Sequence, residues 1–511
     1  MIQAKNTQST SWPYVCFYLL LMKSFKDTPI YFLIRRVSKL SKAQVSKMGL
    51  GTFIGLTMAL CATVRSIPTL SAVGWTLIFY TIFAVLFFAG PISMISGELS
   101  TMLPQEGGPQ LWVKTALGSQ WGFVVAWLLW VQMFPGMVMV ASTLGPLLGN
   151  TFGNAALGNN HYFVLGCILV IYWIITLLNL KFDMAKVGGN IGVWLGVYIP
   201  VVIMFVLGIL AFFKVGLVSN GYLGDFSWSK ALPDLQHSDS LKYLAGITFI
   251  FVGIEMSSVY MPRLKDATKN YTKGVFIALI GLVLLNVINA LFVANVVPEG
   301  TMELANITQP VLIYCDILGL PTIIGNIFSF MVFIGVLLQL SAWVTGPSKT
   351  IIQVAREGFL PPKFGFHKEN EYGVSRNVVL TQSVVISLFA LLYGVMDDVS
   401  AVFLTLTNAT TVIYCIVYLL IAISLVKMRT SHPELPRPYR IGKKGNGFAW
   451  LVSCMLMLAI IAVVVSTLGT STLADALLVA VIAIVMFVIP LIINRVKKAT
   501  WLTEVEADLK E

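Results

Sequence analysis

In the apolar run Phe249-Ile250-Phe251-Val252-Gly253-Ile254-Glu255-Met256-Ser257-Ser258, a carboxylate, a glycine and two hydroxyls replace what should be uniformly greasy sequence. The enclosing stretch, 242–261, is long enough to cross a bilayer at about 1.5 Å of rise per residue. A carboxylate near the middle of such a span costs at least ~2.5 kcal/mol even on a lenient insertion scale. Glu255 therefore needs a reason: a gate, a proton site, or a bond to a neighbouring helix. Gly253 weakens the helix at the same depth. A break beside a buried acid is a way to expose backbone groups to a solute in mid-membrane.

A second irregular stretch matches it. Thr57-Met58-Ala59-Leu60-Cys61-Ala62-Thr63-Val64-Arg65-Ser66-Ile67-Pro68 runs through small and hydroxyl residues into a charge and then a proline. Proline removes a helix hydrogen bond and disfavours helix at the residue before it. Free N–H groups at the start of the half-helix after such a break would suit a carboxylate. Carbonyls ending the inner halves of the two broken spans would suit an ammonium. The pair fits a zwitterion, and a decarboxylated amine would lose the carboxylate half of that recognition. Arg65 has three readings: it binds an anionic substrate group, pairs with a carboxylate such as Glu255, or snorkels to the external surface.

The elements that must position these residues are membrane spans. Hydrophobic residues make up 57% of the 511 and charged residues 11%, against about 25% charged in a soluble domain. Mean hydropathy is +0.85. Twelve apolar spans are predicted at 48–72, 73–97, 119–147, 162–180, 188–214, 242–262, 273–297, 321–345, 377–396, 400–427, 446–468 and 473–494. With the N-terminus inside, 30 of the 34 Lys and Arg fall in cytoplasmic segments, three (Lys214, Lys230, Lys242) in or beside the external loop between spans five and six, and Arg65 within span one. A miscounted span would invert every later loop, so the count and the cytoplasmic placement of both ends support each other. The two irregular spans, one and six, are five apart, the spacing of two inverted five-span repeats with paired broken helices at a midplane site.

The net charge of +11 follows this loop pattern and clusters on no nucleic-acid module. The six cysteines (16, 61, 167, 315, 415, 454) form no C-x-x-C, and the four histidines all fall in loops, so no intramembrane metal or haem site, and no cofactor, is expected. Gly442-Lys443-Lys444-Gly445-Asn446-Gly447 lacks the spacing of a phosphate-binding loop, which leaves no sign of an ATP-driven pump. Residues 1–47 form a basic extension. Its apolar stretch, 14–22, precedes its charges, the reverse of a cleaved signal peptide. It reads either as a surface-lying basic segment or as sequence upstream of a misassigned start codon; the membrane pattern begins only near Met48, which favours the second. The membrane domain covers 48–494, and a short cytoplasmic tail covers 495–511.

From about residue 45 to 495 the chain resembles the amino acid–polyamine–organocation superfamily, and within it the glutamate/GABA antiporter family of bacterial amino acid exchangers. The residues that carry this are Val64-Arg65-Ser66-Ile67-Pro68-Thr69, Glu98-Leu99-Ser100 with Gln105-Glu106-Gly107-Gly108, Trp121-Gly122-Phe123, Gly253-Ile254-Glu255-Met256-Ser257, and Trp343-Val344-Thr345-Gly346-Pro347-Ser348. The resemblance implies an all-α, leucine-transporter-like fold: two inverted five-helix repeats with broken helices one and six, plus two C-terminal helices. It places substrate backbone groups against Cys61, Ala62 and Thr63 and against span six from Phe249 to Gly253. It makes Phe249 an aromatic lid, Trp343 the wall that receives the side chain, Glu255 a gating and proton-sensing group, and Tyr414 and Tyr418 span-ten residues facing the same cavity. It also implies an Arg-x-x-Pro shared among members with different substrates, which favours a structural pairing for Arg65. Two departures stand out. Gln339 occupies a position, four residues before the tryptophan, where the family commonly has glutamate, which puts a glutamate/GABA-like pH response in doubt. The tail is shorter than the C-terminal plug known in that family.

These readings converge on a secondary active transporter in the cytoplasmic membrane, not an enzyme. It would exchange an amino acid for a related metabolite or decarboxylated amine, with the lipid bilayer as its other partner. A proton-coupled symporter of the same fold, or a transporter-like sensor, would show the same pocket. The residues assign neither the substrate side chain nor an oligomeric state.

Overall fold

The computed structural model describes residues 47–509 except 62–63, 106, 185–190, 234–238 and 443–444. The basic extension expected at 1–47 lies outside the described residues but for Lys47, as do Ala62 and Thr63. Eleven helices are long and apolar enough to cross a membrane, and Leu50–Cys61 with Val64–Ser71, bent by 44°, makes the twelfth. Each coincides with a predicted span, and no strand occurs among the described residues.

The order of elements repeats after five spans. Span two, Thr76–Met102, leads into a short helix, Gly108–Leu117, and then the 33-residue span three, Ser119–Thr151. Span seven, Ala267–Val296, likewise leads into a short helix, Thr308–Leu318, and then the 34-residue span eight, Ile323–Arg356. Spans one and six, the first members of each set, are the interrupted ones, and they run in opposite directions. Met48 at the start of span one pairs with Leu264 just past the end of span six: the Met48 N–H donates to the Arg263 carbonyl at 2.8 Å, and the Lys265 N–H donates to the Met48 carbonyl at 3.0 Å.

Burial separates the core from the periphery. The apolar windows of spans three, ten and six are 89%, 78% and 72% buried, whereas that of span twelve is 22% buried and turned outward. Small residues set the closest approaches, as membrane packing without a strong hydrophobic drive requires. A Cβ on Gly335 of span eight would lie 2.2 Å from the Gly196 backbone of span five. Gly108 takes φ +49° in the turn after span two, and a Cβ there would meet the Ser258 hydroxyl of span six at 2.6 Å.

One face is tied by a buried ion pair. Glu98, near the end of span two, accepts from Arg429 Nε at 2.7 Å and from its terminal nitrogen at 2.5 Å, and also from the Ile441 N–H at 2.8 Å. The carboxylate is fully buried, which explains why a charged residue persists in an apolar helix: it joins span two to span ten and to the loop between spans ten and eleven. The tail folds as a helix, Thr500–Asp508, with Trp501 and Val505 buried and Asp508 against His367 (3.1 Å) and Lys368 (3.0 Å).

Candidate functional site

Span six is built in pieces. An α-helix, Leu244–Phe249, gives way to a turn, and from Gly253 the chain continues as a ten-residue 3-10 helix, Ile254–Arg263. Such a long 3-10 run is uncommon and marks a strained or moving segment. Gly253 has φ +96°, a conformation that L side chains rarely adopt, although a Cβ there would meet nothing within 4 Å. The torsion, not crowding, demands glycine. The direction of span six also corrects the expectation for its carbonyls. The half that ends on carbonyls at the break is Leu244–Phe249, on the side opposite to Leu50–Cys61, because the two spans are antiparallel. The carbonyl ends of spans one and six thus approach the breaks from opposite sides.

Glu255 lies two residues past the break with no exposed surface. The Tyr414 hydroxyl donates to one carboxylate oxygen at 2.7 Å and the Tyr418 hydroxyl to the other at 2.9 Å. The Tyr418 oxygen in turn accepts the Gly253 N–H at 3.0 Å, so one side chain joins the carboxylate to the break. Both tyrosines stand on the long helix Val399–Ser431, where i,i+4 spacing puts them on one face with ring centroids 4.9 Å apart. Phe88 of span two meets the Tyr418 ring edge-on at 4.9 Å and holds it in place. The Cys61 thiol, at the end of the first half of span one, is buried. Among the described residues no cation pairs with Glu255.

Arg65 is where the structure departs from expectation. It is 4% exposed, so it does not snorkel, and its partner is not a carboxylate. One terminal nitrogen donates to Gln339 Oε1 at 2.6 Å, the guanidinium lies 5.6 Å from the centroid of the Trp343 ring, and Nε is buried without a partner. Gln339 and Trp343 sit one turn apart on Ile323–Thr345. The physical reason is a division of walls: span ten satisfies both oxygens of Glu255, while span eight takes Arg65.

Phe249 is half-buried and lines a narrow cavity with Ser66 and Thr69 of span one, Met139 of span three, Gly246, and Phe403 and Thr407 of span ten. Sequence reasoning missed the polar lining of this cavity. Its signal was present in span ten, where Thr407, Thr411, Tyr414 and Tyr418 recur at helical spacing on one face. It also missed Tyr271 of span seven, whose hydroxyl lies 3.3 Å from that of Ser257.

Twelve spans, the first and sixth of them interrupted and antiparallel, define a leucine-transporter-like fold. Consistent with that fold, the chain superposes on the crystal structure of MhsT in complex with L-phenylalanine with a TM-score of 0.56 at 16% identity, over 82% of this chain and 98% of that one. Residues 48–495 match the amino acid permease family, and the chain belongs to it, within the amino acid–polyamine–organocation superfamily. Similar proteins include an uncharacterized transporter of Legionella pneumophila, 28% identical over 79% of this chain and 85% of its own length. A glutamate/gamma-aminobutyrate antiporter of Lactococcus lactis is 25% identical over 84% of this chain and 85% of its own. A probable agmatine/putrescine antiporter of the same species is 23% identical over 83% and 90%. Secondary transport of amino acids or amines is the activity these findings support.

Proposed function

We propose that this protein exchanges an amino acid for a related metabolite across the cytoplasmic membrane by alternating access around the breaks in spans one and six, with both chain ends on the cytoplasmic side. One observation carries the reading: Gly253, Tyr418 and Glu255 form a continuous hydrogen-bonded unit that ties a buried carboxylate to an interrupted helix. Such a unit suits a moving part that must respond to a bound solute or proton. Phe249 acts as the lid, the chain around Cys61, Ala62, Thr63 and Gly253 contacts the substrate backbone, Trp343 borders the side chain, and Glu255 gates. Tyr414 and Tyr418 hold Glu255. The antiporters among the similar proteins support exchange over symport.

Uptake of labelled amino acids into proteoliposomes, empty or preloaded, tests this. Uptake only into preloaded vesicles is the expected result. Uptake into empty vesicles driven by an inward proton gradient would make the protein a symporter instead, and no uptake of any amino acid or amine would remove the transporter reading.

A further inference from the structure

Arg65 is a buried cation that no carboxylate among the described residues neutralises. Its contacts are the neutral amide of Gln339 at 2.6 Å and the face of Trp343 at 5.6 Å, and its Nε has no partner. A guanidinium only donates, so the Gln339 oxygen must face it, and a guanidinium does not shed its charge at neutral pH. Among the described residues no carboxylate lies within ion-pair distance. The carboxylate at the span-six break, Glu255, is taken up by Tyr414 and Tyr418 of span ten, and Cys61 at the end of the first half of span one is a neutral thiol. A buried charge left unpaired is strongly unfavourable, and an anion entering the site would remove that cost.

Resting on the transporter reading above, we propose that Arg65 is the carboxylate subsite and that the substrate supplies the counter-charge the protein lacks. Two consequences follow. Both limbs of the exchange must carry a carboxylate, so an amino acid and an ω-amino acid are accepted while a diamine of equal length is rejected, because it brings only further positive charge to an unneutralised cation. The empty carrier also reorients poorly. Arg65 and Gln339 belong to different five-span repeats, so motion of one repeat against the other must disturb the one polar contact that Arg65 makes among the described residues. A bound carboxylate keeps the charge paired during that motion, and this makes exchange obligatory.

Gln339→Glu tests both consequences, because it places a protein carboxylate opposite Arg65 with almost no change of shape. In proteoliposomes the wild-type chain, preloaded with its best amino acid, should be inhibited by carboxylate-bearing amino compounds and not by an equal-length diamine at a hundredfold excess. Gln339→Glu should raise KM for the amino acid about tenfold or more and should permit uptake into empty vesicles. Arg65→Gln, which removes the charge, should let the diamine compete. A diamine that competes equally with wild type overturns the proposal, and this arm needs no variant to fold. So does a monodisperse Gln339→Glu protein whose KM and need for internal substrate are unchanged. Either result leaves the transporter reading intact, whereas absence of any wild-type transport would remove that reading itself.

Discussion

Two residues near the break do separate jobs that substitution can tell apart. Gly253 supplies a backbone torsion. Gly253→Ala should cost about 1–2 kcal/mol, the penalty of a left-handed alanine, because the added methyl finds open space. A melting curve of the purified protein should show a drop of a few degrees, and an unchanged melting temperature would mean that the turn relaxes freely. Glu255 supplies a titratable oxygen pair. Glu255→Gln should leave the protein folded and flatten the pH dependence of transport; an unchanged profile would reduce Glu255 to a structural role. Tyr418→Phe should impair transport more than Tyr414→Phe, since Tyr418 alone also receives the Gly253 N–H. Equal effects would show that only the carboxylate contact matters. The composition of this cluster was legible: Gly253 and Glu255 could be picked out by type and position, and the family resemblance pointed to the i,i+4 tyrosines. Its wiring was not, because spacing on span ten says which residues share a face and nothing about what that face meets.

At the scale of elements, the helices are held by close backbone approach and by the buried Glu98 carboxylate, which pairs with Arg429 and, at 3.3 Å, with Arg437. Gly335→Ala should push spans five and eight apart, since the new Cβ would fall 2.2 Å from the Gly196 backbone. Overpacking of this kind costs about 1–3 kcal/mol, read as lower thermal stability in detergent. Glu98→Gln leaves Arg429 buried beside a neutral amide, and breaking one partner of a buried pair costs about 3–5 kcal/mol. A monodisperse Glu98→Gln protein that melts with the wild type would show that loop carbonyls alone satisfy Arg429. The tail helix adds a pH dependence of its own. Hydrogen bonds from Lys368 and then from His367 hold the Asp508 carboxyl below its ordinary value of 3.8. A depressed carboxylate contributes to docking above its ordinary range and loses that contribution as pH falls through the lowered value. Protease cleavage near Thr500–Asp508 should therefore rise only in strong acid, and Asp508→Asn should show the rise already at neutral pH.

Across the whole molecule, the loop charges of the sequence support the proposed orientation, with both ends cytoplasmic. A reporter fused after residue 511 should be active in the cytoplasm, and a cysteine placed in the segment Trp228–Ala231 should react with an impermeant reagent from outside. The reverse pattern would overturn the orientation and, with it, the side from which the cavity beneath Phe249 is reached.

What the residues determined by themselves was what a membrane reads locally along a chain: the number and order of spans and the two places where helix fails. Apolar length, loop charge, glycine and proline act within a few residues of themselves, so no tertiary information was needed to read them. Only the tertiary structure decided which buried charges meet. Arg65 finds Gln339 across 274 residues and Glu255 finds Tyr414 across 159. Opposite charges in one membrane domain suggest a pair, and a bond from Arg65 to a carboxylate such as Glu255 was one of three readings the sequence left open. The folded chain instead gives each a neutral partner from a different span, because packing of the two repeats sets spans eight and ten on different walls. That separation leaves a charge for a substrate to complete.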